Sequence, residues 1–438
     1  MIKAAVHVSL VTLSVSAAVA FAGVPDAWQR YPLVTATRMQ TPTIDGDVGT
    51  AEWMDAAKIT KPLDRVQGMA EPRNQDIYIG FDAQAVYVGW QFTRPTGAEM
   101  PKLVGKPGRD DRFYGDSADI MFDVHHDHET YVGFVLHPSG AYRDGIGRPG
   151  FDASIDPDWT PAAQVTKEGW SGEAAIPFTS LGLDGPPPSD RIVGFDFVNN
   201  RRTPTKLVTT WSFRGPNWHA FDNMGHLRFE DNVPAVRFIQ AQESGNGGLA
   251  TEFELVNAQN TKHTVNADVQ LLRRTGGAES FYATILSGRD TAYESGDVDF
   301  YKGTQLSDLI REALDLYEPV NNGSIRRVIT VPAGQRRTVG TMPHTGHGEY
   351  MVLYNFRTAA GTPLMQGVMP IEIKPPLAIT CRPYWLYSQT IDVTADLSKV
   401  AIADSATVSF SVTPAEEDEA VICSRAVTVE ANAARAQI

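Results

Sequence analysis

The feature that most constrains this chain is a stretch from residue 43 to residue 229 in which apolar and polar residues alternate between short clusters of Gly, Pro and Asp, with no helical period held over about twelve residues. A period of two sends successive side chains to opposite faces, so such segments bury one face each and stack as sheets. The segments 76–82 and 85–90 read as a hairpin around Ala83-Gln84, and 117–124 with 131–136 as a second pair around a His-rich turn. The segment 172–177 ends at Pro177, where a ladder donor is lost, and 192–198 and 208–213 add two more strands. The expected fold is all-β, opening with a two-sheet, jelly-roll-like β-sandwich.

The chain has 438 residues, too many for one sandwich. After Val233 come further alternating runs, 236–241, 249–256 and 265–272, which predict an immunoglobulin-like sandwich. Leu306, Leu309, Ile310, Ala313, Leu314 and Tyr317 follow a helical period, so a helical insertion is expected near 304–317. Strands resume at 325–331, and 350–356 pairs with 364–373 around Ala359-Ala360-Gly361. The expected division is 1–22 as a leader, 23–233 as the first sandwich, 234–375 as the immunoglobulin-like sandwich, and 376–438 as a small C-terminal β-module, shorter than a full sandwich.

The first residues read as an export signal. Lys3 is followed by an apolar stretch from Ala4 to Val19 and by the small-x-small site Ala20-Phe21-Ala22. A mature chain beginning at Gly23 is expected, secreted to the periplasm or the extracellular space. No later stretch approaches the ~20 apolar residues of a spanning helix, so no membrane span is expected after cleavage. The formal net charge of −14 argues against nucleic acid and anionic membranes as partners. The two cysteines, Cys381 and Cys423, form a single bridge or remain two buried thiols.

Three groups of residues occur in an informative order: Ile44-Asp45-Gly46 with Trp53, the run Asp116–Asp123, and Ser212 through Trp218 to Phe229. In this order and spacing the chain resembles the family 9 carbohydrate-binding modules over nearly all of 43–229. The resemblance implies a two-sheet sandwich that binds the ends of mono- or oligosaccharides between aromatic side chains. It also implies an accessory role beside glycoside hydrolases in carbohydrate catabolism, and bound structural calcium.

The chemistry of sugar binding requires aromatic faces for the C–H side of the ring and polar groups for the hydroxyl rim. Trp218, in the polar segment Gly215-Pro216-Asn217-Trp218-His219, is a stacking platform or a plug at the sandwich end. Phe113 and Tyr114 sit where the family places a second aromatic wall, and read equally as a loop anchor. Asp119 takes the position of a family residue that holds hydroxyls, and Asn217 is a further rim contact. In a strand, Ser117, Asp119, Met121 and Asp123 share one face, while Asp116, Ala118, Ile120 and Phe122 share the other. This chain departs from the family at Phe134, where the family carries a sugar-binding arginine. Arg143, Arg201 or Arg202 is the expected replacement, from a neighbouring strand or loop.

Other motifs are weaker. His125-His126-Asp127-His128-Glu129 reads as a solvated turn, because adjacent strand residues point to opposite faces. For calcium, Asp123 with Asp127, or Asp152, Asp156 and Asp158, supply hard oxygen ligands. Gly145-Ile146-Gly147-Arg148-Pro149-Gly150 matches a dinucleotide fingerprint formally, yet Pro149 and the Asp-rich residues after it predict a loop where that motif needs a helix. No catalytic motif is present. The expected function is non-catalytic glycan recognition by a secreted protein. Two alternatives are a glycoside hydrolase using carboxylates of 116–158, and a cell-surface or adhesion scaffold without sugar binding.

Overall fold

The computed structural model describes residues 32–49, 51–64, 70–71, 75–94, 99–109, 115–127, 129–148, 150–203, 206–212, 224–243, 249–275, 316–340, 346, 348–373, 378–383, 391–396, 407–412, 423–428 and 433–437. The period-two pattern is realised as strands throughout. The first fifteen are β1 (Leu33–Arg38), β2 (Ala57–Ile59), β3 (Leu63–Asp64), β4 (Gln75–Phe81), β5 (Ala85–Thr93), β6 (Gly108–Arg109), β7 (Ser117–Asp123), β8 (Tyr131–Leu136), β9 (Ala141–Arg148), β10 (Gly150–Asp152), β11 (Thr160–Val165), β12 (Gly169–Pro177), β13 (Val193–Arg201), β14 (Leu207–Thr210) and β15 (Gly225–Glu230). Then come β16 (Ala235–Glu243), β17 (Leu249–Val256), β18 (His263–Arg274), β19 (Tyr317–Val331), β20 (Arg336–Gly340), β21 (Gly348–Thr358) and β22 (Pro363–Ile373). The last five are β23 (Ala378–Pro383), β24 (Ile391–Asp396), β25 (Thr407–Val412), β26 (Cys423–Thr428) and β27 (Ala433–Gln437).

The strands up to β22 form two layers. One runs β11–β12–β5–β4–β2 and continues into β16–β17–β20. The other runs β10–β9–β8–β7–β13–β15–β1 and continues into β22–β21–β18–β19. Both layers therefore pass residue 233 without a break in strand pairing, through Leu33 and Val34 against Gln366 and Met365, and through Lys58 against Arg237.

Aromatic side chains fill the space between the layers. Phe81 meets Phe229 at 5.3 Å between ring centroids, Trp90 meets Phe197 at 5.4 Å, and beyond residue 233 Phe253 meets Phe356 at 4.8 Å. These spacings are those of favourable edge and tilted aromatic pairs. One apolar cluster runs without interruption from Val34 to Ile373. The C-terminal strands form a three-stranded sheet, β23–β24–β27, and a two-stranded one, β25–β26.

Ile44-Asp45-Gly46 and Trp53, far apart from β12 in the chain, meet at one carboxylate. Glu173 of β12 accepts the indole N–H of Trp53 at 2.8 Å and the backbone N–H groups of Asp45 and Gly46 at 2.9 and 2.8 Å. Gly46 has φ +91°, and a Cβ there would lie 2.7 Å from the backbone of Ala163. Burial pushes the Glu173 carboxyl above its ordinary range, against the opposing pull of its three donors.

The helix expected near 304–317 falls almost wholly on residues 276–315, outside the described ones; Tyr317, its last apolar position, opens β19 instead. The loop expected from Asp152 to Pro157 is present after β10, from Ala153 on, and before it Gly145–Arg148 belong to β9 and Gly150 opens β10 with Phe151 opposite Gly147. Among the described residues no helix is long and apolar enough to cross a membrane. The side chains of Cys381 and Cys423 lie outside the described ones.

Candidate functional site

The alternation along β7 resolves into two faces. Ala118, Ile120 and Phe122 enter the main core, where Phe122 meets Phe134 and Phe195. On the opposite face Met121 joins a second apolar cluster with Tyr131, Val198, Val208 and Met224, and Phe151 packs against it. Beside that cluster lies a cleft of about 280 Å³. Asp119 and Met121 from β7, Tyr131 and Val135 from β8, Arg143 from β9 and Phe151 from β10 supply its lining side chains.

Register explains how these residues converge. Asp119 pairs with Val135, and Val135 with Arg143, so the carboxylate and the guanidinium stand in one row across three strands. At ~4.8 Å per strand their backbones are about 10 Å apart. Asp119 accepts the hydroxyl of Ser117 at 2.9 Å. The Arg143 guanidinium lies over the Phe151 ring, 5.6 Å from its centroid.

Glycines make room for the rings. Gly133 pairs with Gly145, and Tyr131 with Gly147. A Cβ on Gly133 would lie 3.0 Å from both the Phe151 and Tyr131 rings, one on Gly145 would meet Phe151 at 3.0 Å, and one on Gly147 would fall inside the Tyr131 ring. The sequence Gly145-x-Gly147 is thus a bare patch of sheet on which two aromatic rings lie, and not a phosphate cradle.

On the core side β9 is anchored. Asp144, next to Arg143 but facing inward, accepts Arg109 Nη1 at 2.6 Å and the Trp159 indole N–H at 2.8 Å. Phe134 also faces inward, with no exposed surface and its ring 5.2 Å from Trp159. A phenylalanine therefore holds the position the family resemblance gives to arginine, and the cation at the cleft comes from Arg143 on the adjoining strand.

The other expected site residues are placed as follows. Arg201 ends β13, with its charge beside Arg94, and does not line the cleft. Asp116 faces away from Asp119; it pairs with Arg94 and accepts the backbone N–H groups of Arg202 and Thr203 at 2.9 and 3.1 Å. Asp123 is fully buried and accepts the Asp127 N–H at 3.2 Å, while Asp127 accepts the N–H groups of Glu129 and Thr130 at 2.8 and 3.1 Å. Both carboxylates thus serve a turn, and among the described residues no group of three His, Cys, Asp or Glu is arranged to hold a metal ion. Phe113, Tyr114, Asn217 and Trp218 lie outside the described residues. The segment carrying the last two is bounded by Ser212 and Met224, both fully buried, and Met224 packs beside the cleft.

No protein-family model matches the chain, and no curated protein matches it. Among solved structures, a protein from Bacteroides uniformis described as a "putative carbohydrate-binding protein" aligns at 14% identity over 46% of this chain and 100% of its own, with a TM-score of 0.37. A DUF4785 family protein from Legionella pneumophila aligns at 7% identity over 69% of this chain and 56% of its own, with a TM-score of 0.20. A β-glucuronidase from Bacteroides uniformis aligns at 12% identity over 69% of this chain and 27% of its own, with a TM-score of 0.17. At these identities and scores the likenesses carry no argument about function.

Proposed function

We propose that this protein recognises carbohydrate, without catalysis, at the cleft formed by β7, β8, β9 and β10. The observation that carries the reading is the combination in one cleft of the Asp119 carboxylate, the Arg143 guanidinium and the Tyr131 and Phe151 rings. The partly exposed Phe151 ring, backed by the buried Tyr131, offers apolar area and π-surface to the C–H face of a sugar, and the two charged groups accept from and donate to its hydroxyls. The volume of about 280 Å³ suits one sugar residue rather than a chain. Trp218 and either Phe113 or Tyr114 as stacking rings, with Asn217 as a hydroxyl contact, belong to the same proposal.

A glycosidase requires two carboxylates flanking the bond. Among the described lining residues Asp119 is the one carboxylate, and Asp116 is committed to Arg94 on the other face. Binding is accordingly favoured over turnover, with hydrolysis assigned to a partner glycoside hydrolase. Export to the periplasm or beyond belongs to the same proposal.

The test is calorimetric titration of the full chain with a panel of sugars and soluble glycans, with calcium and with chelator, for wild type, Asp119→Asn and Trp218→Ala. The expected result is saturable binding, weakened at least about tenfold by Asp119→Asn. Equal affinity in wild type and Asp119→Asn would remove the cleft from the reading. Equal affinity in Trp218→Ala would remove the platform alone. Release of a chromophore from a chromogenic glycoside would replace binding by hydrolysis.

A further inference from the structure

We infer that the cleft is built for a sugar carrying a carboxylate, a terminal hexuronate held with its carboxylate at Arg143 and its hydroxyl rim at Asp119. This deepens the sugar-binding reading and rests on it. The argument starts from how the arginines of the sandwich are paired. Arg38 meets Asp231 at 2.6 Å, Arg109 meets Asp144 at 2.6 Å, Arg228 meets Glu230 at 2.9 Å, and Arg94 meets Asp116. Arg143 differs from these four, as do Arg191, Arg201 and Arg202, and of these arginines without an ion pair among the described residues it is the one that lines the cleft. It is exposed, its described neighbour is the Phe151 ring, and it makes no ion pair among the described residues. In a chain of net charge −14, a cation left without a protein carboxylate at the mouth of a cleft provides a place for a ligand's negative charge.

The geometry gives that charge one orientation. A guanidinium laid over an aromatic ring keeps its N–H edges available, and those edges match a carboxylate in a two-bond fork. Asp119, in the same row about 10 Å away between backbones, repels a carboxylate and attracts hydroxyl donors. A hexuronate has its carboxylate at one end of the ring and hydroxyls at the other. It can satisfy both groups at once while its C–H face lies on Phe151, which the buried Tyr131 backs. A neutral hexose offers Arg143 only a hydroxyl acceptor.

The test is titration of the full chain with matched pairs, methyl β-D-glucuronide against methyl β-D-glucoside and the corresponding galacto pair. Wild type and Arg143→Gln are compared at low and high salt, with melting curves run on both proteins. The expected result is a uronide at least about tenfold tighter than its neutral partner, with the preference shrinking in salt. Arg143→Gln is expected to weaken both members and to bring the pair to parity, because the uronide loses a charge-assisted fork where the neutral sugar loses only a hydroxyl contact. A neutral sugar bound as tightly as its uronide by wild type, or a preference that survives Arg143→Gln, overturns the hexuronate assignment and leaves a neutral-sugar site standing. Absence of binding to every member of both pairs, by a folded protein, overturns the assignment together with the reading beneath it.

Discussion

Glu173→Gln tests whether one carboxylate joins the start of the sandwich to β12. Glutamine keeps the shape and loses one acceptor. In its least costly orientation Oε1 still accepts the Asp45 and Gly46 N–H groups, which reach Glu173 at 2.9 and 2.8 Å, and the new amide nitrogen faces the Trp53 indole N–H. Two donors then confront each other where no water reaches, since Glu173 and Trp53 have no exposed surface. Each unpaired buried donor costs about 1–3 kcal/mol. Removing a carboxylate that burial disfavours returns part of that, which leaves a net loss of about 2–3 kcal/mol. For a body that shares one core from Val34 to Ile373, about 2.1 cal/mol/K per residue makes this a fall in Tm of roughly 3–4 °C. Urea unfolding followed by circular dichroism measures the loss. The same substitution in Trp53→Phe, where the indole donor is gone, is expected to cost at least about 1 kcal/mol less. A loss under about 0.5 kcal/mol, or an equal loss in both backgrounds, would refute the arrangement. The pH dependence has a definite sign. Because burial raises the folded carboxyl, the native state keeps a proton that the unfolded chain has lost above its ordinary value of 4.5. Wild-type stability therefore falls as pH rises through that window, and the Glu173→Gln penalty shrinks with it.

Burial pushes the His137 imidazole from 6.5 down to about 4, so the unfolded chain takes up a proton that the native state refuses between those values. Stability should rise with pH across this window by up to roughly 3 kcal/mol and level off above it. Unfolding of His137→Gln against pH checks this, and an unchanged slope contradicts it. Gly147→Ala places a methyl group where the Tyr131 ring lies, and should cost about 1–3 kcal/mol and at least about tenfold in sugar affinity. Denaturation and titration of that variant at wild-type values would show that the ring does not depend on the bare sheet.

Strand identity was legible because it is written locally. The alternation in Ser117–Asp123 is enough to say that Ile120 and Phe122 turn one way and Asp119 the other, and the two sides of β7 are divided in that way. The resemblance gave Phe134 where the family carries an arginine, and left the source of a replacing cation open. Arg143, Arg201 and Arg202 are equivalent as letters, and only strand pairing places Arg143 in the row of Asp119 while Arg201 ends beside Arg94. Nor was the role of Gly145 and Gly147 legible: their missing side chains admit Tyr131 and Phe151, which only the pairing of β8, β9 and β10 brings over them.

By itself, then, the sequence determined an all-β chain, the inward and outward faces of its strands, and Asp119 as a polar group on an outward face. The tertiary structure alone decided that Glu173 would lock Trp53 from 120 positions away, that both layers would run on past residue 233, and that β7 to β10 would bring a carboxylate, a guanidinium and two rings to one cleft. The reason is physical. Side-chain direction along a strand follows from backbone geometry within a few residues, whereas register between strands is set by the packing of whole faces against each other.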